Sequence, residues 1–144
     1  MLKTWPGILA SLVLFAACAP MGLSPRSPTA APQVQGTPGK AVIYVVRSRP
    51  DLSYLTATLT LDDQLIGSTH AGTYMRLEVS PGRHRLSGFA QDNGAITLDV
   101  RSDRVYFVQH TVSGSWRATN PHSFFRVIDE NTARGVMRGA QLVG

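Results

Sequence analysis

Alternation of apolar and polar positions begins near Ala41 and recurs almost to the end of the chain. Ala41 to Ser48 (AVIYVVRS) is a β-branched and aromatic run suited to a buried strand. Thr58 to Leu61 alternates, Asp62-Asp63 offers turn chemistry and Gln64 to Thr69 returns, which predicts a hairpin. Thr73 to Val79 sets Met75, Leu77 and Val79 on one face and Tyr74, Arg76 and Glu78 on the other. Ser80-Pro81-Gly82-Arg83 and Gln91-Asp92-Asn93-Gly94 read as turns on either side of a strand from Arg83 to Ala90. Ile96, Leu98 and Val100 alternate with Thr97, Asp99 and Arg101, and Arg104 to Val112 is again rich in β-branched and aromatic residues. Ser113 to Pro121 reads as a loop and Phe124 to Ile128 as a further strand. Asp129 is placed to cap a short helix over Glu130 to Met137, with Gly135 in its interior. The pattern predicts a mainly β protein, an antiparallel β-sandwich of about seven or eight short strands with one short C-terminal helix.

The N-terminal segment has a different pattern. Lys3 is followed by an unbroken small and apolar run of ten residues, Ile8 to Ala17, which has the charged start and short apolar stretch of an export signal. A membrane-spanning helix needs about twenty apolar residues, and here Pro20, Pro25 and Pro28 follow instead. Cys18 is the single cysteine of the chain and has no intramolecular partner for a disulfide. Leu14-Phe15-Ala16-Ala17-Cys18 resembles the lipobox of bacterial lipoproteins, with Phe15 where Leu is commonest. That resemblance implies a diacylglycerol thioether on Cys18 as the mature N-terminus. A conventional cut after Ala17 would place bulky Phe15 in the outer small-residue position, and one after Ala19 would meet Pro20. Ala19, rather than an Asp, after the cysteine implies by the same resemblance delivery to the outer membrane. From Ala19 to Gly39 the chain is rich in Pro, Ala, Gly, Ser and Thr with Arg26 its one charge, so it reads as a tether with a coil span of roughly 25 Å. The expected organisation is a signal over 1–17, a lipidated N-terminus and linker over 18–39, and a folded domain over 40–144.

Composition adds limits. At 144 residues, one ordinary domain fits but not two. Thirteen Gly and nine Pro with 16% charged residues exclude a long helical rod. Without Lys3 and Arg26, twelve cations face nine acids, and they are interleaved rather than striped, so nucleic acid is not an expected partner.

The run TLDDQLIGST, then AGTYMRLEVSPGRHRLS, then AITLDVRSDRVYFVQ resembles a family of uncharacterised small bacterial lipoproteins whose body is similar to the PEGA-type β-sandwich. Its markers are the Asp62-Asp63 hairpin followed by Ile66-Gly67, the Gly72-x-Tyr74 step and Pro81-Gly82-x-His84. The resemblance spans nearly everything from Ala41 to Val143. It implies a fold and carries no catalytic residues.

Candidate chemistry is sparse. The chain has no phosphate-cradling glycine loop, no H-E-x-x-H and no G-x-S-x-G. His70, His84, His110 and His122 are spaced irregularly; His84 shares a strand face with Leu86, and His110 with Val108 and Val112, which suits core residues with bonded tips better than metal ligands. Ser113 and Ser115 flank Gly114 without the helix that a nucleophile elbow requires. Catalysis, cofactors and metals are therefore not expected. Trp116 and Arg117 are candidates for a contact surface, and Phe124 and Phe125 either extend it or cover the sandwich end. Arg76, Arg83, Arg85 and Arg104 are candidates for a patch that binds phosphate or anionic polymer. The expected function is a non-catalytic interaction or structural module of the cell envelope. Its expected partners are the membrane, through the lipid on Cys18, and an envelope protein. A small-ligand or envelope-polymer binder using the arginines is the alternative.

Overall fold

A computed structural model describes residues 32–88, 94–114 and 121–144. In these the order is β1 (Ala41–Arg47), β2 (Ala57–Leu61), β3 (Gln64–Thr69), β4 (Thr73–Val79), β5 (Gly82–Gly88), β6 (Ala95–Val100), β7 (Arg104–Ser113), β8 (His122–Ile128), α1 (Glu130–Met137) and β9 (Gln141–Leu142). They form a five-stranded sheet, β8-β7-β1-β4-β9, and a four-stranded sheet, β3-β2-β5-β6. The result is mainly β and sandwich-like, not a closed barrel. Among the described residues no helix is long and apolar enough to cross a membrane.

The expectation of a purely antiparallel sandwich is corrected in the larger sheet. β1 pairs antiparallel with β4 but parallel with β7, and β4 pairs parallel with β9. The physical reason lies in β1 itself. All seven of its residues are buried, since it is the middle strand and both its faces are covered. A near-continuous apolar run of this kind suits a strand with a parallel neighbour. Its inward side, with Ala41, Ile43 and Val45, joins Met75, Val79, Val108, Leu59, Leu86 and Val100 between the sheets. Its outward side, with Val42, Tyr44 and Val46, packs with Phe107 under Ala133 and Met137 of α1. Tyr44 stacks on Phe107 with ring centroids 5.6 Å apart.

The turns follow the chemistry of their residues. Asp62 and Asp63 both take positive φ, 50° and 65°, which is what a two-residue hairpin with matching twist requires. Asp62 Oδ1 accepts from the Arg85 backbone N–H at 2.8 Å and its Oδ2 meets His84 Nδ1 at 2.6 Å, so the turn is tied to β5. Asp129 caps α1 by accepting from Thr132 N at 3.0 Å. At the open side of the sandwich, Ser123 of β8 sits against two glycines. A Cβ at Gly88 would lie 2.0 Å from Ser123 Oγ, and one at Gly94 would lie 1.8 Å from the Ser123 carbonyl oxygen.

Pro32–Gly39, which the sequence assigns to the linker, make contacts with the domain. Val34 packs on the α1 side of the sheet. Gln35 N donates to Tyr44 Oη at 3.1 Å, and Thr37 Oγ1 donates to Glu78 at 2.7 Å and accepts from Arg76 at 2.8 Å. Gly39 N donates to Asp103 at 2.8 Å. A Pro, Gly and Thr composition lacks the periodicity of a strand or helix, yet these residues find partners one by one on the sheet's outer face.

Candidate interaction surface and its buried support

Strand parity places the last residue of β1 in line with Ala41, Ile43 and Val45, facing inward, and that residue is Arg47. It is 0% exposed. An unpaired guanidinium there would be prohibitively costly, so its partners are decisive. Nε donates to Asp51, four residues on. Nη1 donates to the Thr69 carbonyl at 3.0 Å and Nη2 to the Ser53 carbonyl at 2.7 Å. The Asp51 carboxylate also accepts from the Leu52 N–H at 2.7 Å and the Val112 N–H at 3.3 Å. One ion pair thus fixes the segment between β1 and β2 to β3 and β7.

Beside it His110 is fully buried. Its Nδ1 is 3.1 Å from Thr69 Oγ1 and its Nε2 is 2.9 Å from Ser123 Oγ. The ring stacks on Phe125, with centroids 4.7 Å apart and planes at 8°. Burial, reinforced by the Arg47 charge, pushes its pKa down to about 3, so it is neutral at ordinary pH. A neutral imidazole donates from one nitrogen and accepts at the other, and hydroxyls at both ends satisfy either tautomer.

This buried support holds up an apolar rim. Leu52 is 74% exposed, Tyr54 83% and Phe124 57%. Leu52 and Phe124 line one shallow cavity of about 490 Å³ with Gln109, Thr111, Phe125 and Arg126. Arg126 donates to the Gln109 side chain at 2.6 Å, which in turn donates to Ser48 Oγ at 3.1 Å. The rim presents large apolar groups on a fixed backbone, with one cation at the edge.

Of the sequence candidates, Phe124 and Phe125 line this cavity. Cys18, Trp116 and Arg117 lie outside the described residues. Of the two phenylalanines, Phe125 joins the core and Phe124 faces outward. The four arginines are not brought together: Arg76 lies on the outer face of β4, Arg83 and Arg85 on the opposite outer face along β5, and Arg104 begins β7. Arg76 is paired with Glu78 and holds the N-terminal strap, donating to Gln35 O at 3.3 Å. Arg85 stands 3.8 Å from Asp63. His84 is bonded to Asp62 and to the Ser80 carbonyl at 2.8 Å. Burial opposes its cation, but these two acceptors outweigh that and raise its pKa. Bonds from the Arg85 N–H and His84 lower the pKa of Asp62. Among the described residues no group of three or more His, Cys, Asp or Glu is placed to hold a metal ion.

Sequence reasoning missed Arg47, Asp51, Leu52 and Tyr54. Their signal was present: an arginine at an inward position of an otherwise apolar strand, with an acid four residues later.

The fold and this surface define a sandwich-like β domain with a preformed apolar rim. Residues 37–122 match the family described as a protein of unknown function, DUF2846, and the chain belongs to that family. The match runs from the strap to the first residue of β8, so it includes the Arg47–Asp51 pair and ends before Phe124 and α1. No curated protein and no solved structure matches the chain.

Proposed function

We propose that the protein is an exported lipoprotein with a PEGA-type body, anchored by acyl chains on Cys18, most simply at the outer membrane facing the periplasm, and serving there as a non-catalytic interaction module. The observation that carries the interaction reading is the apolar rim of Leu52 and Phe124, with Leu52 on a loop fixed by a buried ion pair. Exposed apolar groups of this size mark contact surfaces. A loop held rigid in advance loses little conformational freedom on binding. The partner is a protein of the envelope that offers apolar side chains to the rim and an acidic group to Arg126. The anchor is supported by the ten-residue apolar run and the Leu14–Cys18 lipobox resemblance. Several acyl chains hold a soluble body to a bilayer at about 0.8 kcal/mol per buried methylene.

The test is photocrosslinking in whole cells with Cys18 intact. Photoreactive residues go at Phe124, at Trp116 and, on the opposite face, at Arg83, with mass identification of adducts. An abundant protein adduct from Phe124 and not from Arg83 is expected. Lipid or glycan adducts only, or none, overturn the interaction reading. The intact mass of membrane-extracted protein tests the anchor separately: a chain starting at Cys18 without acyl mass overturns it.

A further inference from the structure

A second cleft lies where the end of β1, the start of β4 and the C-terminal end of α1 meet. Its volume is about 420 Å³, within the usual range for small-molecule sites, and its lining includes Ser48, Arg49, Gly72, Gly135, Arg138 and Gly139. Two arginines and no acidic residue line it. Among the described residues neither Arg49 nor Arg138 has an acid within ion-pair distance, whereas Arg47, Arg76, Arg85 and Arg134 each do. Two unopposed cations on one concave wall are a charge arrangement that an anion completes.

The backbone keeps the cleft open. Arg49 lies over Gly72 and donates to the Ala71 carbonyl at 3.4 Å. Gly72 has φ +81°, and a Cβ there would come within 3.0 Å of Arg49 Nε, so glycine is what lets the guanidinium rest in this position. Gly135 is more telling. It sits inside α1, where glycine costs roughly 1 kcal/mol relative to alanine, yet a Cβ at that position would meet nothing within 4 Å. Packing against the protein gives no reason for glycine there. Room on the cleft side does. Arg138 also complements the carbonyl end of α1, but Arg49 belongs to another element and that explanation does not reach it.

We infer that this cleft is a binding site for a phosphate monoester, gripped between Arg49 and Arg138 with Gly135 leaving space for the group it carries. A phosphate dianion balances two guanidinium charges and offers tetrahedral oxygens to both forks, where a single carboxylate would be satisfied by one. Ser48 Oγ accepts from Gln109, which leaves its own hydrogen available to donate. The same phosphate chemistry is carried by lipid headgroups and by soluble esters. The site adjoins the apolar rim through the Ser48–Gln109 bond but uses neither Leu52 nor Phe124, and it stands if the interaction reading fails.

The experiment is an NMR titration of the full chain with inorganic phosphate, then with glycerol 3-phosphate, against chloride at matched ionic strength. Saturable shifts confined to the surroundings of Arg49, Gly72 and Arg138 are expected, with the ester binding more tightly than phosphate. Arg49→Ala and Arg138→Ala each weaken binding about tenfold. Gly135→Ala weakens the ester more than phosphate while raising the melting temperature, a combination that a purely structural glycine does not give. Loss of the ester shifts on adding phosphatidic acid vesicles assigns the phosphate to a lipid; retention assigns it to a soluble ester. Shifts that do not saturate, or that persist unchanged in the Arg49→Ala/Arg138→Ala double variant, overturn the proposal.

Discussion

The outer face of the five-stranded sheet is finished in two ways. Over β1 and the first half of β7 it is covered: Val42, Tyr44, Val46 and Phe107 lie in one apolar cluster with Ala133 and Met137 of α1 and Val34 of the strap. Over the second half of β7 and the adjoining part of β8 it is bare, with Gln109, Thr111, Phe124 and Arg126 facing outward. Both halves are the same hydrogen-bonded sheet. The covered half is held by apolar burial from outside, and the bare half by a polar cluster from inside, where Arg47, Asp51, His110 and Ser123 tie β1, β3, β7 and β8 together. Moving the support to the inner side frees the outer side to make contacts.

The largest expected effect breaks the inner support. Arg47→Ala leaves Asp51 buried without its cation and costs about 3–5 kcal/mol of stability, read from urea unfolding. The Arg47→Ala/Asp51→Ala double variant recovers part of that loss. A single-variant cost below about 1 kcal/mol would show that the bare half is held by something other than this pair.

Next comes a direct contrast between the halves. Met137→Ala removes a fully buried side chain that seats α1 and costs about 2–5 kcal/mol. Phe124→Ser changes stability by no more than about 0.5 kcal/mol. It should nonetheless abolish crosslinking from Leu52, which lines the same cavity. Equal stability losses at the two positions would erase the distinction between covered and bare.

A last contrast is one of pH. The folded-state pKa of His110 is about 3, below the ordinary 6.5, so its unfolded form binds more protons between those values. Its contribution is fully present above pH 6.5 and is lost as pH falls toward 3, by up to about 1.4 kcal/mol per unit. His84 has the opposite sign: its raised pKa contributes below pH 6.5, and that contribution disappears as pH rises through the folded value. His110→Gln should flatten the acid limb of a stability–pH curve, and His84→Gln should leave that limb in place.

Most strands were legible because each is a local pattern: Thr73 to Val79 alternates, and Asp62-Asp63 can only turn. The parallel pairing of β1 with β7 was not, since alternation along one strand says nothing about its neighbour's direction. β9, two residues long, has no pattern of its own. The contacts at the end of the linker were also not legible, because Gln35 and Thr37 dock through single hydrogen bonds, which leave no periodic trace. The rim was hidden for a related reason. Leu52 and Tyr54 look like ordinary loop residues until Arg47 is known to be buried. Equally, that Arg49 and Arg138 have no acid beside them among the described residues appears only once those residues are placed.

The strap also has a mechanical meaning. A pull on the N-terminal side reaches Pro32–Gly39 before it reaches β1, and it meets the contacts at Val34, Gln35, Thr37 and Gly39 in turn rather than all at once. They open like a zip, each at low force. Once free, these residues, about eight in number, can reach at most roughly 26 Å from β1. The segment is a compliant spring in series with a stiff body, so displacement at one end is absorbed before it can distort the surface at the other.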